Sequence, residues 1–122
     1  YTDQRASEQG HAAAQSNFGV MCDKGWDVPQ NDAEAVKWWK KGARQDHANA
    51  QSNLGFMYEK GRGVHEVPAA RKVRAYMWYS LAKVQGQKNA TASLDILKEQ
   101  MTPAQIAKGK AAATRIWKKI NN

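Results

Sequence analysis

The segment His11-Ala12-Ala13-Ala14-Gln15-Ser16-Asn17-Phe18-Gly19 recurs as His47-Ala48-Asn49-Ala50-Gln51-Ser52-Asn53-Leu54-Gly55, an offset of 36 residues. The register holds through Met21 and Met57, Lys24 and Lys60, and Gly25 and Gly61, with Tyr58 standing for Cys22. Past the glycines it slips once. Trp38-Trp39 corresponds to Trp78-Tyr79 at an offset of 40, so the second unit holds four extra residues between Val64 and Tyr76. Four residues are about one helical turn, and an inserted turn keeps an apolar face in phase. A weaker third copy begins near Gly86, where Gly86, Asn89, Ala90 and Leu94 match Asp46, Asn49, Ala50 and Leu54. Units of this length cannot bury their apolar side alone and are stable only when stacked.

The repeats divide the chain as one domain, 1–122. Residues 1–10 read as the end of a preceding unit or a cap, because Ala6-Ser7-Glu8-Gln9-Gly10 parallels Gly42-Ala43-Arg44-Gln45-Asp46. Residues 11–46 form repeat 1, residues 47–86 repeat 2 with its four-residue insertion, and residues 87–122 a divergent repeat 3 with a capping helix. The chain opens on Tyr1, so an upstream segment is expected to have been removed.

Each unit reads as two helices. Ala14, Phe18, Met21 and Cys22 make one apolar stripe in the first helix, and Ala50, Leu54, Met57 and Tyr58 repeat it. Gly25 and Gly61 follow the last periodic residue, where a left-handed residue ends a helix. Asn31-Asp32-Ala33-Glu34 starts the second helix, whose apolar face is Ala35, Trp38, Trp39, Gly42 and Ala43, then Ala75, Trp78, Tyr79 and Ala82. Gly19 and Gly55 fall in mid-helix, where glycine costs about 1 kcal/mol relative to alanine. Their recurrence predicts a helix crossing too close for a β-carbon, with the bulky rings filling the space around it. Thr102, Pro103 and Gln105 open a last helix with a stripe of Ile106, Ala113, Ile116, Trp117 and Ile120.

These residues carry a resemblance. Ala50 through Val64 follow the pattern A-x-x-N-L-G-x-M-Y-x-x-G-x-G-V of Sel-1-like repeats, relatives of the tetratricopeptide repeat, and Ala75-Tyr76-Met77-Trp78-Tyr79 supplies the second helix. Residues 89–117 look like the C-terminal end of bacterial members. The resemblance implies an all-α fold, a right-handed α-α superhelix of helix-turn-helix repeats with a C-terminal capping helix. It implies a non-enzymatic scaffold that binds a peptide or partner domain on its concave face, and it favours a periplasmic or secreted location. Gly25-Trp26-Asp27 departs from the family's Gly-x-Gly and implies a strained or altered turn.

On the concave face the polar positions are Gln15, Asn17, Gln51 and Asn53, and turn residue Trp26 reads either as an exposed contact beside them or as a ring tucked over a neighbouring helix. An asparagine or glutamine amide can bond a peptide backbone through both donor and acceptor. The alternative for Asn17 and Asn53 is a bond between neighbouring repeats.

No catalytic, cofactor or metal site emerges. His11, His47 and His65 are spread over the units, whereas a metal needs three or four ligands converging at one point. Cys22, the only cysteine, lies on an apolar stripe, where thiols are inert. Some relatives have been described as weak β-lactam-binding or hydrolysing enzymes. That activity is not carried over, because the paired cysteines of those relatives and a Ser-x-x-Lys motif are both missing.

Charge is uneven. Residues 1–36 hold six acids against Arg5 and Lys24, while the rest holds 17 Lys and Arg against five acids. Binding of an anionic polymer or nucleic acid through Lys37, Lys40, Lys41, Arg44, Arg71, Lys72 and Arg74 is therefore a rival reading. It is disfavoured, since no recognition motif accompanies them and cations near helix C-termini already complement the dipole.

Overall fold

A computed structural model describes the backbone of residues 2–122 and the side chains of residues 10–122. The reading of residues 1–10 as the end of a preceding unit falls mainly on side chains outside the described residues. Six helices follow in order: α1 (Thr2–Lys24), α2 (Asp32–Arg44), α3 (Ala48–Lys60), α4 (Pro68–Val84), α5 (Lys88–Lys98) and α6 (Pro103–Asn121). Among the described residues there is no strand, and no helix is long and apolar enough to cross a membrane.

Local signals set the helix ends. Asn31 accepts a hydrogen bond from the Glu34 amide at the start of α2. Thr102 and Gln105 form a reciprocal capping box at the start of α6, with Pro103 in the first turn. Gly25 and Gly61 take left-handed φ values of 72° and 71°. The first unit's turn keeps the shape of the second: Asp27 adopts φ 61° where Gly63 has φ 71°. The expected strain thus rests on one non-glycine residue, and the backbone course is unaltered. The four-residue insertion lies inside a helix, since α4 has 17 residues against 13 in α2.

Packing within each unit is governed by one contact. A β-carbon at Gly19 would lie 2.6 Å from the Trp39 ring, and one at Gly55 would lie 2.8 Å from the Tyr79 ring. The rings fill the notch left by glycine, which brings α1 onto α2 and α3 onto α4. Trp39 donates its ring N–H to the Ser16 carbonyl at 3.0 Å, and the Tyr79 hydroxyl donates to Glu59 at 2.7 Å. Between units the crossing is made by small residues. A β-carbon at Gly42 would sit 2.9 Å from that of Ala50, and the equivalent pair, Ala82 and Ala90, is fully buried.

The stripes were partly shifted from expectation. Ala50, Leu54, Met57 and Tyr58 are all buried, but in α1 the buried positions are Ala12, Ser16, Gly19 and Cys22, and Ala14 is exposed. Ala50 is covered by Gly42 of the unit before it, and Ala14 has no described helix in that place. Trp39 is core, whereas Trp38 is half-buried, edge-on to Phe18 at 5.2 Å with Lys41 over its ring at 4.2 Å.

The last helix pair departs from the first two. Seven residues separate α1 from α2 and α3 from α4, but only four separate α5 from α6. α6 packs chiefly along α4, with Gly109 against the Tyr76 ring, where a β-carbon would come within 2.5 Å. Ile106, Ala112, Ala113 and Ile116 flank that contact. Trp117, expected in the stripe, is 48% exposed and lines a shallow depression with Ser80, Leu81 and Val84 of α4.

Gly55→Ala should lower stability by about 1–2 kcal/mol in urea denaturation, since overpacking outweighs the gain in helix propensity. Gly10→Ala, with nothing within 4 Å of the new carbon, should instead be neutral or raise stability by up to about 1 kcal/mol. Trp78→Ala should cost about 3–5 kcal/mol, and Trp26→Ala much less, because the first ring is buried and the second is 59% exposed.

Candidate partner-binding face

The first helices α1, α3 and α5 lie side by side and present one row of equivalent positions. Two of the five residues proposed for binding are engaged inside the fold. Gln45 donates to the Gln15 side-chain oxygen at 2.7 Å, and Gln85 donates to that of Gln51 at 3.0 Å. Gln45 and Gln85 end the second helices of successive units, so one bond recurs in both. Gln51 also donates to the Ala43 carbonyl and to Asp46, both at 3.2 Å, and is fully buried. It is withdrawn from the binding surface, because an amide bridging two units has no face left for a guest. Gln15 is half-buried and also pairs with His11 at 3.0 Å.

Asn17 and Asn53 face outward. Asn17 is exposed, Asn53 is half-buried, and neither makes a bond between repeats among the described residues. One turn further along lies a row the sequence reading passed over. Val20 in α1, Phe56 in α3 and Ile96 in α5 are equivalent residues, each three positions after Asn17, Asn53 and Ser93. Positions three apart share a helix face. Val20 packs partly against the core, but Phe56 is 41% and Ile96 56% exposed. The repeat offsets, applied to non-core positions, would have found them.

Trp26 stands in the turn at the position that Arg62 takes in the second unit. Arg62 reaches back to the first unit, with one nitrogen 2.6 Å from Asp23 and 2.7 Å from Asp32, and its Nε 3.3 Å from the other Asp32 oxygen. The guanidinium holds the Asp32 carboxyl below the usual carboxylate range against the opposing effect of burial. Lys60 and Arg62 also lie 5.9 and 6.0 Å from the Phe56 ring centre, giving this apolar residue a cationic border.

Reactive groups are few. Burial, aided by the Glu34 carboxylate, pushes the Cys22 thiol pKa up and keeps it protonated. Among the described residues no group of three histidine, cysteine or carboxylate side chains could hold a metal ion. The basic residues singled out on the second helices are partly spoken for. Lys37 and Lys41 lie over Trp38, Arg71 meets the Tyr58 carbonyl, and Lys72 the Gln100 carbonyl.

The Sel1 repeat model matches residues 12–47 and 48–86. No curated protein matches the chain. Among solved structures, the chain is similar to a protective antigen present in uropathogenic Escherichia coli strains, which displays an SLR fold. That match has 27% identity and a TM-score of 0.83, and covers 94% of this chain and 24% of the antigen. A Sel1 repeat protein from Oxalobacter formigenes is 30% identical with a TM-score of 0.68, over 92% of this chain and 47% of that one. The chain thus spans about a quarter and about half the length of these relatives.

Arg62→Ala should lower stability by about 1 kcal/mol at neutral pH, screening by solvent limiting a partly exposed ion pair. Asp32 has a lowered pKa in the folded state, so its contribution is complete above the unfolded carboxylate value of about 4 and is lost as pH falls through the folded value. The gap between Arg62→Ala and the parent in urea midpoints should therefore close in acid. A gap independent of pH would show that Arg62 acts by packing alone.

Proposed function

The chain belongs to the Sel1 repeat family, in general a family of non-enzymatic protein–protein interaction scaffolds, and we propose that its first-helix face holds a peptide segment of a partner. The supporting observation is the doubled row on α1, α3 and α5. Phe56 and Ile96 offer apolar contact, and Asn17 and Asn53 offer amides to a peptide backbone. A stack of first helices lines the concave side of such arrays. An extended segment crossing the helices meets one apolar and one polar position per unit. Trp26, at the edge of unit 1, extends the contact. Gln15 and Gln51 act from behind, fixing the helix that carries the row.

The outward positions of a solenoid are under no packing constraint, so a large apolar side chain at two of three equivalent sites calls for another use. Isolated exposed apolar residues are ordinary on any surface, whereas aligned ones suit an interface.

Peptides selected from a displayed random library against the whole chain provide the probe. A Phe56→Ser, Ile96→Ser variant should lose at least about tenfold in affinity for them, and Asn17→Ala, Asn53→Ala a smaller factor. Trp117→Ser, on the far helix, should bind as the parent does. Unchanged affinity in the first variant, with helix content intact by circular dichroism, would sink the reading.

A further inference from the structure

The second-helix side of the molecule carries a groove that the proposed peptide face does not use. Because α6 leans on α4 and is not paired with α5, two contiguous cavities of about 540 and 370 Å³ open along its flank. They share Glu66, Arg74, Met77, Ala112 and Arg115. The apolar part of their lining is Val67, Val73, Met77, Ala112 and Ile116, with Met77 buried at the bottom. Their rim is cationic: Lys40 and Arg44 from α2, Arg74 from α4, and Lys108, Arg115 and Lys119 from α6.

Three separate helices bring these cations together. Among the described residues Glu66 is the one carboxylate lining the two cavities, and it is already paired with Arg74 at 2.7 Å. Among the described residues, Lys40, Arg44, Lys108, Arg115 and Lys119 have no carboxylate partner. Lys119 and Arg44 lie in last helical turns, where the dipole accounts for them. Lys40, Lys108 and Arg115 do not. Like charges collected around one depression repel each other, and among the described lining residues Glu66 is the one carboxylate that offsets them.

We propose that this groove docks an acidic, amphipathic segment of a partner protein, its apolar side chains on the Met77–Ala112–Ile116 floor and its carboxylates on the rim. Charge complementarity selects the sign of the occupant, and the floor selects its class. A single-stranded nucleic acid is held by a cationic track together with exposed rings on which its bases stack. Here the aromatic side chains that line the groove, Tyr58 and Trp78, are buried, and the rest of the apolar lining is aliphatic. An alternation of acidic and aliphatic side chains fits both features at once. The groove is independent of the first-helix face, so either site can fail without the other.

The test uses a labelled synthetic peptide in which glutamate pairs alternate with leucine, read by fluorescence anisotropy on the whole chain. The parent should bind it, and affinity should fall as ionic strength rises past about 0.15 M. Arg115→Glu, Lys119→Glu, both on exposed positions, should weaken binding at least about tenfold, and Arg115→Gln, Lys119→Gln by a smaller factor. Phe56→Ser, Ile96→Ser should leave it unchanged. A control peptide with serine for leucine should bind far more weakly. Equal binding of that control would overturn the proposal in favour of a bare polyanion site. It would also be overturned by a single-stranded oligonucleotide that binds more tightly than the peptide and loses affinity in the same variants. Self-association of the parent that the variants abolish would instead make the occupant a second copy, and so refute it.

Discussion

Three aromatic rings occupy places where β-carbons are missing, Trp39 at Gly19, Tyr79 at Gly55 and Tyr76 at Gly109, and every helix pair they join depends on that fit. The rings do more than fill volume. Trp39 and Tyr79 each tie their polar atom to the facing helix, so the crossing is fixed in rotation as well as in distance. Buried ring donors with partners avoid the penalty of an unsatisfied polar group. Because the contact recurs, the two complete units share one geometry, and a stack of like units presents equivalent residues in line. The row of Asn17, Asn53, Val20, Phe56 and Ile96 is a consequence of that regularity.

Polar side chains then separate into those that hold units together and those left for a partner. The glutamine pair within each unit and Arg62 between units belong to the first group. A hydrogen bond between an amide and a carbonyl inside a crossing resists sliding, which the apolar contacts alone do not. Asn17 and Asn53 make no bond between repeats among the described residues, and the proposed peptide face assigns them to the second group. The third glycine, Gly109, has a different effect: it lets α6 lie close on α4, and the leaning helix opens a groove along the second-helix side. One packing device thus produces a regular face on one side and an irregular cleft on the other.

Much of this was legible in the residues. The 36-residue offset, the one-turn insertion, the left-handed glycines and the close crossings at Gly19 and Gly55 were all readable, the glycines from their place after a helix and the crossings because a costly mid-helix glycine recurs with the repeat. Gln51 was misjudged as a surface group, because polarity alone does not tell a solvated amide from one bonded across a crossing. Phe56 was missed for the opposite reason: it sits one position from Met57, and a single apolar residue beside a stripe reads as part of the core. Trp117 was placed in a stripe that is real but narrower than the sequence implied, and it stays 48% exposed beside α4.

The sequence by itself determined the helices, their caps, their number per unit and two of the places, Gly19 and Gly55, where helices meet without a β-carbon. The helices and caps follow from backbone propensities and from side chains within a few residues of one another, and the crossings from a mid-helix glycine that recurs with the repeat. Only the tertiary structure decided that α6 faces α4, that Gln51 is sealed between units, and that cations from α2, α4 and α6 gather around one groove. Those outcomes depend on which of several apolar surfaces wins a helix when a four-residue link restricts its reach, and that competition involves residues far apart in the chain.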